Sequence, residues 1–305
     1  MLVKNLSYSA NGKFLITGEY AVLNNVPALA VPLKKQQHFE VQRRGDEKVF
    51  WKSFDADGSL WMDFETDLES LFSTTDFNDE THAKLAEVLR TARQLRPQFD
   101  WSQGFNVESH LDFNRAFGMG TSSTLISFVA HLTGCNPYTL QFACFQGSGF
   151  DIACATAQKA IVYNYNDAQP LAHEIDFQPQ IADELFFVYL NQKQNSRESI
   201  AKFDKHKLTP EIREELGSMP EKFIDASCDR EAFEKVMARH ERIISDLIDL
   251  PPVKQRLFKD YPHAIKSLGG WGGDFVLVTG DQNAHEYFRK KGHNDIYSWK
   301  GLVRL

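Results

Sequence analysis

Short apolar segments, one of them with alternating polarity, recur along the first third of the chain, a pattern typical of strands. Turn-forming residues separate the segments. The segments are residues 12–17, 28–31, 38–43, 49–51 and 60–64, of which 38–43 alternates between apolar and polar residues. The first third of the chain is therefore predicted to be mainly strands.

Helical spacing appears next, between segments that again alternate. Apolar residues recur three or four positions apart from Leu85 to Leu95, which predicts a helix that Pro97 ends. Residues 105–111 alternate as a strand and lead into a glycine-rich turn. The apolar run after this turn predicts a helix that ends at Gly134.

The remaining segments continue this mixture of helices and strands. A short helix is predicted to open within residues 147–153, before a strand at 160–163. The second half, from about Pro170, contains predicted strands at 185–190 and 275–279, a long helix through 233–247 that ends at the Pro251–Pro252 pair, and a helix at 284–291. The mixture predicts an α+β protein of two lobes, residues 1–169 and 170–305.

Composition narrows the classes of function. The chain has 305 residues, of which 42% are hydrophobic and 25% charged, as in ordinary globular proteins. A net charge of -7 argues against general binding to nucleic acid or to an anionic membrane. The four cysteines form no C-x-x-C pair, and no apolar run is long enough for a signal peptide or a membrane span. We therefore expect a cytoplasmic monomer or homodimer that acts on a small-molecule substrate, without nucleic acid or membrane partners.

The most informative segment is the glycine- and hydroxyl-rich turn before the third predicted helix. Gly118 and Gly120 permit close backbone approach, and Thr121, Ser122 and Ser123 supply hydroxyl groups. A helix start presents unpaired N–H groups and the positive end of the helix dipole, so this turn is suited to phosphate. By itself, the same turn is equally compatible with an ordinary helix N-cap.

Several common phosphate-binding and hydrolase motifs are absent. The sequence contains no G-x-x-x-x-G-K-[ST] motif, and the turn has Ser123 where a dinucleotide fingerprint requires a third glycine. It also has Thr124 where the serine-hydrolase elbow requires glycine. Scattered histidines and carboxylates form no dedicated metal motif, so any metal is expected to arrive with a nucleotide.

Four segments, in order along the chain, resemble the motifs of the GHMP small-molecule kinases. They are residues 12–22 with 27–30, the turn at 118–123, residues 147–154, and the glycine cluster at 269–274. Within the family, Gly18-Glu19-Tyr20 and the 147–153 segment are closer to phosphomevalonate kinase than to mevalonate kinase. The resemblance spans most of the chain.

The resemblance implies a fold and an activity. The expected fold has an amino-terminal lobe like domain 2 of ribosomal protein S5 and a ferredoxin-like carboxy-terminal lobe. The expected reaction is ATP- and Mg²⁺-dependent phosphorylation of a small anionic metabolite, first phosphomevalonate and next mevalonate, in isoprenoid precursor synthesis. Two alternatives stay open: a family relative that binds ligand with weakened or no turnover, and a kinase for another acceptor such as a sugar or homoserine.

The resemblance also implies roles for individual residues. Lys13 and Asp151 correspond to the catalytic lysine and aspartate, although a solvated strand end and a helix cap are alternatives for them. Ser122 is the expected metal contact. The residues expected to bind the nucleotide are Gly118, Gly120, Thr121, Ser122, Ser123, Gly269, Gly270, Gly272 and Gly273. Those expected to face the acceptor are Glu19, Lys193, Ser196 and Arg197. For Glu19, a role in supporting its loop is an equal alternative. Lys193 and Arg197 could equally be exposed charges at the start of a helix.

Two departures from the family pattern affect this expectation. Many family members carry a magnesium-binding glutamate ahead of the aspartate motif, whereas residues 136–146 contain no acidic residue. Magnesium would then rely on Ser122, phosphate oxygens, water and a carboxylate from elsewhere, or catalysis would be weakened. Trp271 is an unusual residue within the last glycine loop, where its ring would stack on a base or, more simply, pack at the lobe interface.

Overall fold

The computed structural model describes residues 5–73, 77, 79–167, 169–191, 203–271 and 274–305. The chain divides into two compact units. The first comprises Met1–Gly12, Lys35–Arg115 and Met119–Thr156, and the second comprises Lys13–Lys34, Ala116–Gly118 and Ala157–Leu305. The chain thus passes between the units several times, which no local sequence pattern indicates. The boundary expected after residue 169 stays a prediction.

The first unit combines a sheet with a layer of helices. Its strands are β1 (Asn5–Leu15), β2 (Ala28–Arg43), β3 (Lys48–Phe54), β4 (Leu60–Asp67) and β5 (Phe105–Leu111), of which β1 and β2 continue into the second unit. Its helices are α1 (Leu68–Ser73), α2 (Glu80–Leu95), α3 (Thr121–Thr133), α4 (Pro137–Cys144) and α5 (Phe150–Thr156). Strand β3 runs parallel to β5, whereas β2 and β5, and β3 and β4, are antiparallel.

Aromatic side chains join the sheet of the first unit to its helices. The ring of Phe128 on α3 stacks on Phe39 of β2, with ring centres 4.3 Å apart. It also meets the edge of Trp51 on β3 at 5.7 Å. All three side chains are buried, so this cluster fixes α3, and the turn at its start, against the sheet.

The second unit contains a further antiparallel sheet, ordered β11–β8–β10–β9. The strands of this sheet are β8 (Leu185–Tyr189), β9 (Ile265–Ser267), β10 (Phe275–Thr279) and β11 (Ile296–Ser298), whereas β6 (Ala160–Asn164) and β7 (Leu171–Ile175) of the same unit extend the sheet of β2. The helices of the second unit are α6 (Pro210–Gly217), α7 (Met219–Asp225), α8 (Arg230–Ile248), α9 (Val253–Leu257), α10 (Gln282–Lys290) and α11 (Trp299–Leu302). No helix within the described ranges has the length and apolar character needed to cross a bilayer.

The predicted elements are present, with some changes in extent. The segments predicted at 28–31 and 38–43 are parts of one long strand, β2, which pairs with β6 over 28–30 and with β5 over 37–43. Helix α8 ends at Ile248, before the proline pair, because Asp249 adopts a left-handed conformation with φ 52°. The α+β class that the sequence predicts is confirmed.

Candidate active site

The phosphate-loop candidate, residues 118–123, leads into helix α3. Gly120 is the N-cap of this helix, with φ 110°, and no side chain caps the helix from that position. Gly118 also has a positive φ, 66°. The backbone N–H groups at the start of a 13-residue helix are thus presented without a side-chain cap from the N-cap residue, which favours the phosphate cradle over the ordinary cap.

The hydroxyl groups of this loop differ in what they contact. The hydroxyl of Ser123 is buried and donates to the carbonyl oxygen of Gly120 at 2.8 Å, so it supports the turn itself. Thr121 is half-buried and Ser122 is exposed. Ser122 is therefore the hydroxyl of the three that is best placed for a ligand or a phosphate-bound metal ion.

Lys13 reaches the phosphate loop. The side chain projects from β1, is half-buried, and donates from Nζ to the carbonyl oxygen of Gly118 at 3.1 Å. The first and second motifs are therefore in contact although 105 residues separate these two positions. An ammonium group at this place can stabilise the negative charge of a phosphoryl group.

The end of the glycine cluster at 269–274 meets the same point. Asp274, directly before β10, lies so close to Gly118 that a Cβ atom added to this glycine would be 2.6 Å from Asp274 Oδ2. The charge of Asp274 also acts on Tyr189, whose pKa is raised first by burial and then by this carboxylate. Glycine is thus required at position 118 for two reasons: its positive φ, and the lack of space for a Cβ atom beside Asp274. Asp274 is absent from the site residues expected from the sequence, although it is the last residue of the glycine cluster at 269–274.

Asp151 lies in the first turn of α5. Its Oδ1 accepts a hydrogen bond from the backbone N–H of Ile152 at 3.1 Å, and its side chain is half-buried. Burial, followed by the charges of Cys154 and Asp151, raises the pKa of the nearby Tyr138 to about 12. Gly149, with φ 83°, lets the chain pass close to the ring of Tyr138. The pairing of Asp151 with Lys13 that the resemblance implies stays a prediction.

Glu19 is completely enclosed within the second unit. Its carboxylate forms an ion pair with the ammonium group of Lys266 on β9, and both side chains have no exposed surface. Burial alone would raise the pKa of Glu19, but the charge of Lys266 and the hydrogen bond from its ammonium group outweigh it, so this pKa is lowered. This environment favours the second of the two roles considered for Glu19, that of supporting its loop.

Two further ionisable side chains of α8 complete this buried cluster. His240 Nε2 lies 3.1 Å from Glu19 Oε2 and 3.3 Å from the backbone nitrogen of Gly18. Nε2 accepts the hydrogen bond from the Gly18 N–H, and burial and the charge of Lys266 lower the pKa of His240, so the ring is neutral near pH 7. Glu241 accepts a hydrogen bond from the backbone N–H of Ser267 at 2.9 Å. Sequence reasoning missed this cluster, apart from Glu19.

The remaining expected site residues are only partly within the described ranges. Gly269 has φ 59° and open space at its Cα, and Gly270 is half-buried. Trp271 is 3% exposed with φ 46°, a conformation that bulky residues rarely adopt. The expected site residues outside the described ranges are Lys193, Ser196, Arg197, Gly272 and Gly273.

Solved structures of small-molecule kinases match the chain over nearly its whole length. Methanococcus jannaschii mevalonate kinase gives a TM-score of 0.73 at 14% identity, with 100% of each chain covered. Streptococcus pneumoniae phosphomevalonate kinase, in complex with phosphomevalonate and AMPPNP, gives 0.68 at 16% identity over 98% of each chain. Lactococcus lactis galactokinase, complexed with galactose, gives 0.69 at 11% identity over 99% of this chain and 95% of its own. No protein-family model and no curated protein matches the sequence significantly.

These matches define the architecture as that of small-molecule kinases. The chain has the GHMP kinase fold, which mevalonate kinase, phosphomevalonate kinase and galactokinase share.

Proposed function

We propose that this protein is an ATP-dependent kinase that phosphorylates a small anionic metabolite. The observation that carries the proposal is the meeting of three separate motifs at Gly118. Lys13 donates to its carbonyl oxygen, Asp274 approaches its Cα, and the helix start that follows it is free of an N-cap side chain. A cation, a cradle of backbone N–H groups and a carboxylate are the equipment that phosphoryl transfer requires.

The residues of this site have complementary roles in the proposed reaction. The N–H groups at the start of α3 bind phosphate oxygens, and Lys13 stabilises the charge on the transferred phosphoryl group. The acceptor oxygen forms a bond to the γ-phosphorus while the bond to ADP breaks. Asp151 receives or orients the proton of an alcohol acceptor, whereas a phosphate acceptor, already ionised near neutral pH, requires no strong base.

Magnesium is expected to be held mainly by nucleotide phosphates. Within the described ranges, no group of three or more His, Cys, Asp or Glu side chains can hold a metal ion. The exposed hydroxyl of Ser122 at the start of α3 is the proposed protein contact for a nucleotide-bound Mg²⁺, the role that a Ser or Thr hydroxyl at the end of a phosphate-binding glycine loop has in P-loop proteins. When bound, the ion would neutralise charge on the phosphate oxygens.

For the acceptor, we propose phosphomevalonate first and mevalonate next, which places the enzyme in cytoplasmic isoprenoid precursor synthesis. Support comes from the Gly18-Glu19-Tyr20 and 147–153 motifs and from the fold shared with the phosphomevalonate complex. The anionic end of the acceptor is proposed to bind three side chains: the ammonium charge of Lys193, the hydroxyl group of Ser196 and the guanidinium group of Arg197, which can form two parallel hydrogen bonds. A sugar or homoserine is the alternative acceptor, since a shared fold does not define the acceptor pocket.

A second candidate function is ligand binding without turnover. It is favoured by α4, which has no acidic residue to contact magnesium. Nucleotide binding would persist in such a protein because the cradle at α3 is built from backbone groups.

The experiment that separates these functions is an acceptor panel. ATP binding is measured first by calorimetry with and without Mg²⁺, and ADP formation is then followed with phosphomevalonate, mevalonate, galactose and homoserine. Acceptor-dependent ADP formation with a phosphorylated product supports the kinase and rejects the binding-only alternative. ATP binding without transfer to any acceptor supports the binding protein, and no ATP binding at all rejects both. Lys13→Met, which removes the charge at the loop, is the matched inactive control.

A further inference from the structure

The two segments that carry the outer motifs of the site are joined at one buried point in the second unit. Glu19 lies six residues after Lys13, and Lys266 lies three residues before Gly269. The carboxylate of Glu19 and the ammonium group of Lys266 are in direct contact, with neither exposed to solvent. Lys266 Nζ also donates to the carbonyl oxygen of Ser267 at 2.8 Å, so the contact fixes the backbone of β9 as well as its side chain.

The backbone on both sides of this contact is in conformations that need support. Gly18 and Tyr20 flank Glu19 with φ values of 87° and 60°. Trp271 follows Lys266 in the other segment with φ 46°. Left-handed aromatic residues are rare and persist only where the surrounding structure holds them. Each of the joined segments therefore contains a residue whose strained backbone conformation persists only if the surrounding residues stay in place.

Stability by itself does not explain a charged pair at this position. Desolvating two charges offsets most of their attraction, and buried ion pairs can often be replaced by apolar side chains without loss of stability. What an ion pair adds is direction, because the ammonium group must meet the carboxylate at hydrogen-bond distance. The neutral ring of His240, 3.1 Å from the second oxygen of Glu19, further restricts the orientation of the carboxylate.

We propose that Glu19 and Lys266 are positioning residues that hold the Lys13 segment and the Gly269–Trp271 segment in the arrangement that receives ATP. This role rests on the proposed function. Both side chains are fully buried, so the pair acts through its neighbours and not by contact with nucleotide or acceptor. Its effect on turnover passes through Lys13, which contacts Gly118, and through the glycine loop that follows β9.

The test uses the charge-neutral double variant Glu19→Gln/Lys266→Met, which leaves no unpaired buried charge. We expect it to fold with a melting temperature within a few degrees of wild type, while the single variant Lys266→Met is strongly destabilised. We expect the dissociation constant for ATP to rise at least about tenfold, which corresponds to a loss of about 1.4 kcal/mol in binding free energy. Turnover should fall on the order of 100-fold, as for misplacement of reacting groups by about 1 Å.

The control is the exposed ion pair of the same unit between Lys300 and Asp183, joined at 2.6 Å. Asp183→Asn/Lys300→Met should leave melting temperature, ATP affinity and turnover at wild-type values. A folded double variant of Glu19 and Lys266 that binds ATP and turns over like wild type overturns the positioning role and leaves the kinase assignment intact. If that variant does not fold, Lys266→Arg, which keeps the charge and changes its geometry, carries the same test. A wild-type protein that binds no ATP overturns the proposed function, and the positioning role with it.

Discussion

Replacing Glu241 by glutamine should change how stability depends on pH. The side chain of Glu241 is 3% exposed, with Oε1 2.9 Å from the backbone nitrogen of Ser267 and Oε2 3.3 Å from its hydroxyl oxygen. Burial raises the pKa of this carboxyl group to about 8, since Lys266 and the Ser267 hydrogen bonds offset the burial only in part. At pH 6 the native side chain is thus a neutral acid, whereas it is ionised in the unfolded chain.

The sign of the effect follows from counting protons. Between pH 4.5 and 8 the native state binds one more proton at Glu241 than the unfolded state, so stability falls as pH rises. The contribution is fully present below pH 4.5 and is lost near pH 8. Over the whole interval it amounts to about 5 kcal/mol at about 1.36 kcal/mol per pKa unit. Between pH 6 and pH 8 the loss is about 2 kcal/mol.

Glutamine has the shape of the protonated acid and does not titrate. The Glu241→Gln variant keeps the hydrogen bond from the Ser267 N–H, and its amide can donate to the Ser267 hydroxyl. Its free energy of unfolding should therefore exceed that of wild type by an amount that grows by about 2 kcal/mol from pH 6 to pH 8. His240 titrates in both proteins, so its loss of stability below about pH 6.5 cancels in the difference.

The assay is urea unfolding at pH 6, 7 and 8 and constant ionic strength, followed by tryptophan fluorescence and far-ultraviolet circular dichroism. Coincident transitions are required because a free energy of unfolding assumes two states. Glu231→Gln on the same helix is the control, since Glu231 is 79% exposed and forms only a surface pair with Lys235. Parallel pH profiles for wild type and Glu241→Gln would show that Glu241 is already ionised in the native state at pH 6, and would refute the reasoning.

Three further variants test the site itself. Asp151→Asn should keep ATP affinity and melting temperature while lowering turnover, most clearly for an alcohol acceptor, and unchanged steady-state turnover would contradict its role. An alanine in a left-handed conformation costs about 1–2 kcal/mol, and Gly118→Ala should lower the free energy of unfolding by more than this because the new Cβ meets Asp274. The control in thermal unfolding is Gly58→Ala, where φ is 80° and the space around the Cβ position is open. Ser122→Ala should leave the melting temperature unchanged and weaken ATP binding only when Mg²⁺ is present, which calorimetry with and without Mg²⁺ would detect.

Local patterns predict the elements of this fold because each pattern has a local physical cause. Helix α3 ends at Thr133 because Gly134 adopts φ 75°, a conformation that glycine accepts without strain. Strand β5 alternates because one of its faces is buried and the other is not. The division into units has no such local cause. Strands β1 and β2 each belong to both units, and the sequence of neither strand indicates where the chain passes from one unit to the other.

Local sequence patterns do not predict the buried cluster around Glu19 and Lys266. Glu19 and Lys266 are 247 residues apart, and nothing near either residue identifies the other. A weak signal exists for His240, which occupies a position in the apolar stripe of α8, whereas Lys266 lies in a strand of only three residues, Ile265–Ser267, too short to show a pattern. A charged or titratable residue at a position that should be buried indicates a partner, but its identity depends on the tertiary fold.

Different parts of the site tolerate substitution to different degrees, which accounts for a shared fold at 11–16% identity. Buried strand positions accept one apolar side chain for another at modest cost as long as volume is kept. Gly118 accepts no side chain without moving Asp274, and neither Glu19 nor Lys266 can change alone without leaving a buried charge unpaired. Residues that join the motifs of the candidate site are thus among the positions that cannot vary singly. A handful of residues therefore carries more information about the chemistry than the overall identity does.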